Sequence, residues 1–260
     1  KLISMNVMRT QTHSTSPSDL GTQRDEGHRH VPVLLHEVIH GLDIKKDDVV
    51  VDGTLGMGGH SKEILKHLKD TGVLIGIDQD GDILKRTEVE LRGISHATVL
   101  TEQTSFENIP EILARHGMES VDKVLLDLGW GSHTLESKRG FSFMKDEPLV
   151  MTYASTVTEE TLTAYDIVNT WSEDSLESII KGWGEDRHAR RIAEAIVSER
   201  EHGPIKTTGA LASLIERVVR RHGKTHPATQ TFQALRIAVN DELGSLTRTL
   251  DAVTQCLSRD

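Results

Sequence analysis

Val49-Val50-Val51-Asp52-Gly53-Thr54-Leu55-Gly56-Met57-Gly58-Gly59-His60 is the stretch whose reading decides the fold. Three consecutive β-branched valines make a short apolar run, the pattern of a strand buried on both faces of a sheet. Asp52 closes the run. Glycines follow at 53, 56, 58 and 59, and a helical pattern covers 61–69. Strand, glycine-rich turn and helix bring backbone N–H groups close to a nucleotide-like ligand, because glycine permits positive φ and presents no Cβ. A connection with no ligand would not need four glycines.

The same rhythm repeats downstream. Gly72-Val73-Leu74-Ile75-Gly76-Ile77-Asp78 is a second buried strand ending in an acid, and a helix is predicted over 80–92. A third strand at 97–100 precedes a helix at 106–116, and Asp122-Lys123-Val124-Leu125-Leu126-Asp127-Leu128-Gly129 is a fourth strand. Alternation of this kind predicts an α/β fold with a doubly wound parallel sheet. Ligands of such sheets sit beyond the carboxyl ends of the strands, where Asp52, Asp78 and Asp127 fall. Asp78 stands one helix and one strand beyond the glycines, the position from which a carboxylate accepts hydrogen bonds from ribose hydroxyls. The glycines run G-x-G-G rather than G-x-G-x-x-G, and the chain has no phosphate loop of the G-x-x-x-x-G-K-[ST] kind. An adenosine cofactor without a pyrophosphate, such as S-adenosylmethionine, therefore fits better than NAD.

The 260 residues can hold one large domain, or a core with a smaller domain inserted in it. A net charge of −10 argues against indiscriminate nucleic-acid binding by the whole surface. The single cysteine, Cys256, excludes a disulfide framework and fits a reducing, cytoplasmic setting. No apolar run reaches membrane-spanning length, and the N-terminus has no signal core. Residues 1–28 are polar and aperiodic and read as a disordered leader. His28, His30 and His36 lack the spacing of a ligand set, so no metal site is predicted. Residues 29–137 form the first part of the core. From 138 to 224 helical patterns follow without strands, at 159–168, 172–181, 185–201 and 208–221, and read as an inserted helical domain. Residues 225–260 return to the core through a long helix over 228–257.

Charge is segregated along the chain: residues 187–236 hold ten Lys/Arg against four Asp/Glu. Arg187, Arg190 and Arg191 fall on one helix face by their spacing, and Arg217, Arg220 and Arg221 repeat the pattern. Such a stripe is either a solvated face paired with acids or a surface that contacts RNA phosphates.

Several segments taken together carry a resemblance. They are His30-Val31-Pro32-Val33-Leu34-Leu35, the loop from Asp52 to Ser61, Gly76-Ile77-Asp78, Leu125-Leu126-Asp127-Leu128-Gly129, Arg139-Gly140-Phe141-Ser142-Phe143, Gly184-Glu185-Asp186-Arg187, and His226-Pro227-Ala228-Thr229 through Phe232-Gln233-Ala234-Leu235-Arg236 to Asn240. Over about 30–257 the chain resembles the bacterial ribosomal RNA small-subunit methyltransferase H family, also called MraW. The resemblance implies a class I methyltransferase (Rossmann-like) sheet with an inserted all-helical substrate-recognition domain. It also implies methylation of the N4 amine of a cytidine in 16S ribosomal RNA, with S-adenosylmethionine as cofactor and the 30S particle or its RNA as partner. The family's cofactor contacts fall on Gly58, Gly59, His60, Asp78, Phe106 and Asp127, and on Thr134, where the family has a glutamine. Asp127 is also the catalytic candidate, and Arg187, Arg190 and Arg191 are the RNA-binding candidates.

The chain departs from the family pattern at Gly131, where a serine is usual, and at Gln230, where an arginine is usual. It departs also at Val150 and Ala154, which replace two acids. It begins at Lys1 and stops at Asp260, before further core strands of the family, so the resemblance implies a C-terminally truncated chain with an open sheet edge. A catalytically impaired RNA-binding homologue is the alternative to an active enzyme.

Overall fold

The computed structural model describes residues 2–6, 32, 34–129, 134–135, 137–221, 223 and 225–258. Five strands form one parallel sheet: β1 (Leu2–Asn6), β2 (Val49–Asp52), β3 (Val73–Asp78), β4 (Thr98–Gln103) and β5 (Lys123–Leu128). Their order is β1-β5-β2-β3-β4. The chain winds outward from β2 through β3 to β4 and then crosses back to β5 on the other side of β2. Strand order therefore reverses between β2 and β5, which is where a doubly wound sheet opens a crevice at its carboxyl end. The valine run of β2 pairs with both neighbours, Val51 standing opposite Ile75 and Val124. Helices α1 (Leu35–Leu42), α2 (Gly59–His67), α3 (Gly81–Leu91) and α4 (Ile109–Arg115) accompany the sheet. Val50, Leu55, Ile64, Leu65, Leu74 and Leu125 are buried in one core, each such side chain contributing about 1.5–3 kcal/mol. The chain is thus α/β, as the alternation of patterns predicts.

The β1 strand corrects the expectation of a structureless leader over 1–28 for the five residues it covers. Ile3 pairs with Leu125 and Met5 with Asp127, in parallel register along the outer edge of β5. Pairing of this kind is made by main-chain groups that an edge strand leaves open, so the aperiodic side chains of the segment did not announce it. The remainder of the leader, with His28, His30 and Gly131, lies outside the described residues.

By contacts the chain divides into two units. The sheet unit takes in the described residues of Lys1–Asp78, Asp82–Gly129 and Ala252–Asp260; the other takes in Gln79–Gly81 and Trp130–Asp251. The second unit is helical: α5 (Ala164–Thr170), α6 (Glu173–Gly182), α7 (Ala189–Arg200), α8 (Thr208–Val218), α9 (Thr229–Val239) and most of α10 (Glu242–Cys256). It extends beyond 224, where the sequence reading ends the inserted domain. Hydroxyl caps set several helix starts. Thr163 and Asp166 form a reciprocal capping box, Ser172 accepts from the Ser175 N–H, and Thr207 accepts from the Ala210 N–H. Ile167, Leu176, Ile180, Ile192, Leu211 and Leu235 lie in its core.

Helix boundaries depart furthest from the sequence reading in three places. The helix expected at 159–168 starts only at Ala164, because Thr163 caps it and the Thr158 N–H is taken by Thr161 Oγ1. The helix expected at 185–201 starts at Ala189: Glu185 has φ +55°, outside helical space, and the Asp186 carboxylate accepts from the His188 N–H. The helix expected over 228–257 is two helices, broken at Asn240 and at Asp241, which has φ +45°. No helix among the described residues is long and apolar enough to cross a membrane.

Candidate functional site

The loop after β2 is tied to the strand ends around it. The Gly53 N–H donates to the Leu125 carbonyl and the Leu55 N–H to the Ile77 carbonyl, both at 2.9 Å. Higher in the loop, the Gly56 N–H donates to Asp78 Oδ2 at 2.8 Å, and the Thr87 hydroxyl donates to the Gly56 carbonyl at 2.8 Å. Asp78 at the end of β3 and Thr87 on α3 therefore clamp the loop crest from both sides. Gly58 has φ +69°, and a Cβ there would stand 2.7 Å from Thr87 Cγ2. A Cβ on Gly59 would stand 2.4 Å from Pro32 Cγ, so close packing as well as turn geometry requires glycine here.

Beneath the loop lies a polar chain. Asp52 is buried, accepting from Ser61 Oγ at 2.6 Å and from the Thr54 N–H at 3.2 Å. Burial pushes its carboxyl above the ordinary 3.8, against the opposing pull of the Ser61 hydrogen bond and the nearby His60. Thr54 then reaches the next strand, its hydroxyl accepting from the Asp127 N–H at 2.8 Å. The Asp127 side chain is 38% exposed, and its Oδ2 lies 3.8 Å from Nδ1 of His60, whose own side chain is only 7% exposed. A half-exposed carboxylate, backed by a buried imidazole, thus stands at the strand-order reversal. Such a carboxylate can accept from an amine or hydroxyl hydrogen of a ligand. Phe106 opens a 3-10 turn, Phe106–Asn108, after β4, and its Cβ lies 3.0 Å from where Gly53 would carry one.

The structure thus gathers Gly58, Gly59, His60, Asp78, Phe106 and Asp127 at the carboxyl ends of neighbouring strands. Sequence reasoning missed Thr54, Ser61 and Thr87, whose hydroxyls bond the Asp127 N–H, the Asp52 carboxylate and the Gly56 carbonyl. One signal was present: an Asp followed two residues later by its hydrogen-bonded N–H is an Asx turn, which the Asp52-Gly53-Thr54 run permits. No Lys or Arg lies within 52–60, and the nearest, Lys62, is engaged by Glu90. Nothing in the loop is charged to meet a pyrophosphate.

Comparison with known proteins places the chain in a family. The model of the MraW methylase family matches residues 27–260. The chain belongs to that family. Proteins called ribosomal RNA small subunit methyltransferase H are similar to it. That of Clostridium botulinum (strain Kyoto / Type A2) is 44% identical over 237 residues, covering 89% of this chain and 74% of its own length. That of Clostridioides difficile (strain 630) is 46% identical over 233 residues, covering 88% and 74%. That of Acetivibrio thermocellus is 47% identical over 234 residues, with the same coverage. Among solved structures, a putative rRNA-methylase from Clostridium thermocellum aligns at a TM-score of only 0.32 and 22% identity, over 38% of this chain and 54% of that one.

In this chain the arginine stripes are rearranged. Arg187 precedes α7 rather than sharing a face with Arg190 and Arg191, which corrects the helical-face reading for that residue. Arg190 is paired with Glu194, and Glu177 and Glu173 also act on it. Arg217 is paired with Glu199. Thr134 is buried in the helical unit. At the positions where two acids are usual, the segment is held by its backbone. The Ala164 N–H donates to the Val150 carbonyl, and Arg139 donates to the carbonyls of Tyr153 and Ala154 at 2.8 and 2.9 Å. Arg139 is itself anchored by Asp80 at 2.6 Å. Gln230 donates to the Glu185 carbonyl at 3.1 Å.

Proposed function

We propose that the chain transfers a methyl group from S-adenosylmethionine to the N4 amine of a cytidine in small-subunit ribosomal RNA. The observation that carries this reading is the half-exposed Asp127 carboxylate at the strand-order reversal, beside His60 and with its main-chain N–H held by Thr54, next to a glycine loop without cations. Membership of the MraW methylase family and the names of the relatives point the same way. S-adenosylmethionine, when bound, supplies a methyl group on a sulfonium centre.

The residues present suit such a cofactor. The backbone of Gly58, Gly59 and His60 offers close approach, Asp78 offers a carboxylate to ribose hydroxyls, and Phe106 offers an apolar face to an adenine. A cytosine amine is a poor nucleophile, because its lone pair conjugates with the ring. Asp127 accepts a hydrogen bond from the amine, which turns the nitrogen lone pair towards the methyl group and favours its attack. It then takes the proton that the nitrogen sheds once methylated and passes it to solvent. Thr134 is given no role. The helical unit recognises the RNA, with Arg187, Arg190 and Arg191 as candidate contacts; structured RNA is read largely by shape and phosphate contacts, and the target base must leave its stack. The protein acts in the cytoplasm, on the RNA or on the 30S particle.

The test is incubation of the protein and cofactor with small subunits lacking the modification, followed by mass analysis of the nucleosides. N4-methylcytidine is the expected product. Calorimetric heat with S-adenosylmethionine but no methylated nucleoside would favour an impaired RNA-binding homologue, in line with the missing acids at Val150 and Ala154. No heat and no product would overturn the reading.

A further inference from the structure

Two arginines distant in sequence meet at one cleft of the helical unit. Arg187, from the segment before α7, and Arg220, from the segment after α8, line a space of about 310 Å³ with His188, Thr225, His226 and Gln230. That volume is at the small end of the range for ligand sites and matches one nucleotide. Its walls are fixed. The His226 ring stacks on Phe143 at 4.5 Å between centroids, its Nδ1 accepts from the Ala228 N–H at 3.1 Å, and its Nε2 faces Glu216 at 2.8 Å. The Arg187 guanidinium donates to His188 at 3.1 Å.

Neither Arg187 nor Arg220 forms an ion pair among the described residues, in contrast to Arg190 and Arg217. Asp186 also lines the cleft, but it is buried and its carboxylate accepts from the His188 N–H at 2.8 Å, just before α7. The cationic groups that line the cleft are the two guanidinium groups. Glu185 stands exposed at the same cleft, where its carboxylate accepts hydrogen bonds but repels a bare anion. A lining with two unpaired cations and a carboxylate suits a ligand carrying both phosphate and N–H or O–H donors.

We propose that this cleft, rather than the Arg190 and Arg191 face, holds one nucleotide of the RNA substrate, with its phosphate on Arg187 and Arg220. The proposal rests on the reading of the chain as an RNA methyltransferase. The test measures binding of a fluorescently labelled single-stranded oligoribonucleotide to the full chain by anisotropy, with S-adenosylmethionine binding followed by calorimetry in the same preparations. Arg187→Ala and Arg220→Ala should each weaken RNA binding about tenfold and each flatten its salt dependence by about one contact. Arg187→Lys should retain part of the affinity. Cytidine monophosphate should compete with the RNA, and inorganic phosphate at matched ionic strength should not.

Wild-type affinity in both alanine variants overturns the proposal. So does a larger loss in Arg190→Ala with Arg191→Ala, equal competition by inorganic phosphate, or absence of RNA binding by the wild-type chain. If cofactor heat and methyl transfer persist while the variants bind RNA normally, this inference alone fails. If the wild-type chain shows neither cofactor heat nor transfer, the methyltransferase reading fails instead.

Discussion

Thr54 links the buried Asp52 carboxylate to Asp127, the residue on which the proposed reaction turns. Its N–H donates to Asp52 and its hydroxyl accepts from the Asp127 N–H. Thr54→Val keeps the volume but leaves the Asp127 N–H without that acceptor, a loss of about 1–3 kcal/mol. If Thr54 positions Asp127, the methyl-transfer rate should fall about tenfold or more, with S-adenosylmethionine affinity little changed, and Thr54→Ser should restore it. Steady-state kinetics with calorimetry would show this, and a rate unchanged in the valine variant would remove Thr54 from the argument. Asp52 makes a second prediction. Its carboxyl is raised in the folded chain, whereas the unfolded chain ionises near the ordinary 3.8. The folded state binds that proton more tightly, so the contribution favours folding below 3.8 and is lost as pH rises through the folded value. Asp52→Asn carries no such proton. The stability of the variant relative to wild type should therefore rise with pH across that window and level off above it. Urea midpoints from about pH 4 to about pH 8 would reveal it, and a constant difference would contradict it. At this scale the acids and glycines were legible because strand ends and φ > 0 positions leave marks in a single sequence. Thr54, Ser61 and Thr87 were not, because a hydroxyl shows its partner only once strands and helices are placed.

Among the elements, the buried strands were legible from their apolar runs, and β1 was not, since edge pairing is a property of the main chain. The break between α9 and α10 was legible in principle. Apolar periodicity runs on across it, through Leu235 and Ala238 to Leu246 and Leu250, and hides it. Asn followed by Asp is nevertheless a helix stop signal, because both tolerate left-handed backbone, and Asp241 adopts it. The break has a structural task. Asn240 Oδ1 accepts from the Tyr153 N–H at 2.8 Å, and its Nδ2 donates to the carbonyls of Met151 and Arg236 at 2.8 and 2.9 Å. It thereby holds the segment that lacks the family's two acids. Asn240→Ala leaves a main-chain donor and a main-chain acceptor without this partner and should cost about 2–4 kcal/mol. Asn240→Asp, which can still accept from Tyr153, should cost less. Urea unfolding of the three proteins measures the order, and equal stabilities would show that the amide is not what fixes Met151 and Tyr153.

For the molecule as a whole, an acidic protein with a net charge of −10 is proposed to act on a polyanion. The ten cations against four acids within 187–236 suggested a broad basic surface. Side-chain placement reduces it: Arg190 is matched by Glu194, Arg217 by Glu199 and Arg236 by Glu242. Sequence spacing could count the charges but could not show which of them cancel, since Arg217 and Glu199 lie on different helices. Each phosphate neutralised contributes about 0.7 to 0.9 to the slope of log affinity against log salt. If two arginines meet phosphates, the slope for the full chain should be about −1 to −2, and the long-range repulsion of the acidic remainder should keep affinity for unrelated duplex RNA low. Anisotropy titrations over a series of salt concentrations measure this directly. A slope of about −6 or steeper would mean that many more cations reach the RNA than the two left unpaired at the cleft, and that the acids beside them give way on binding.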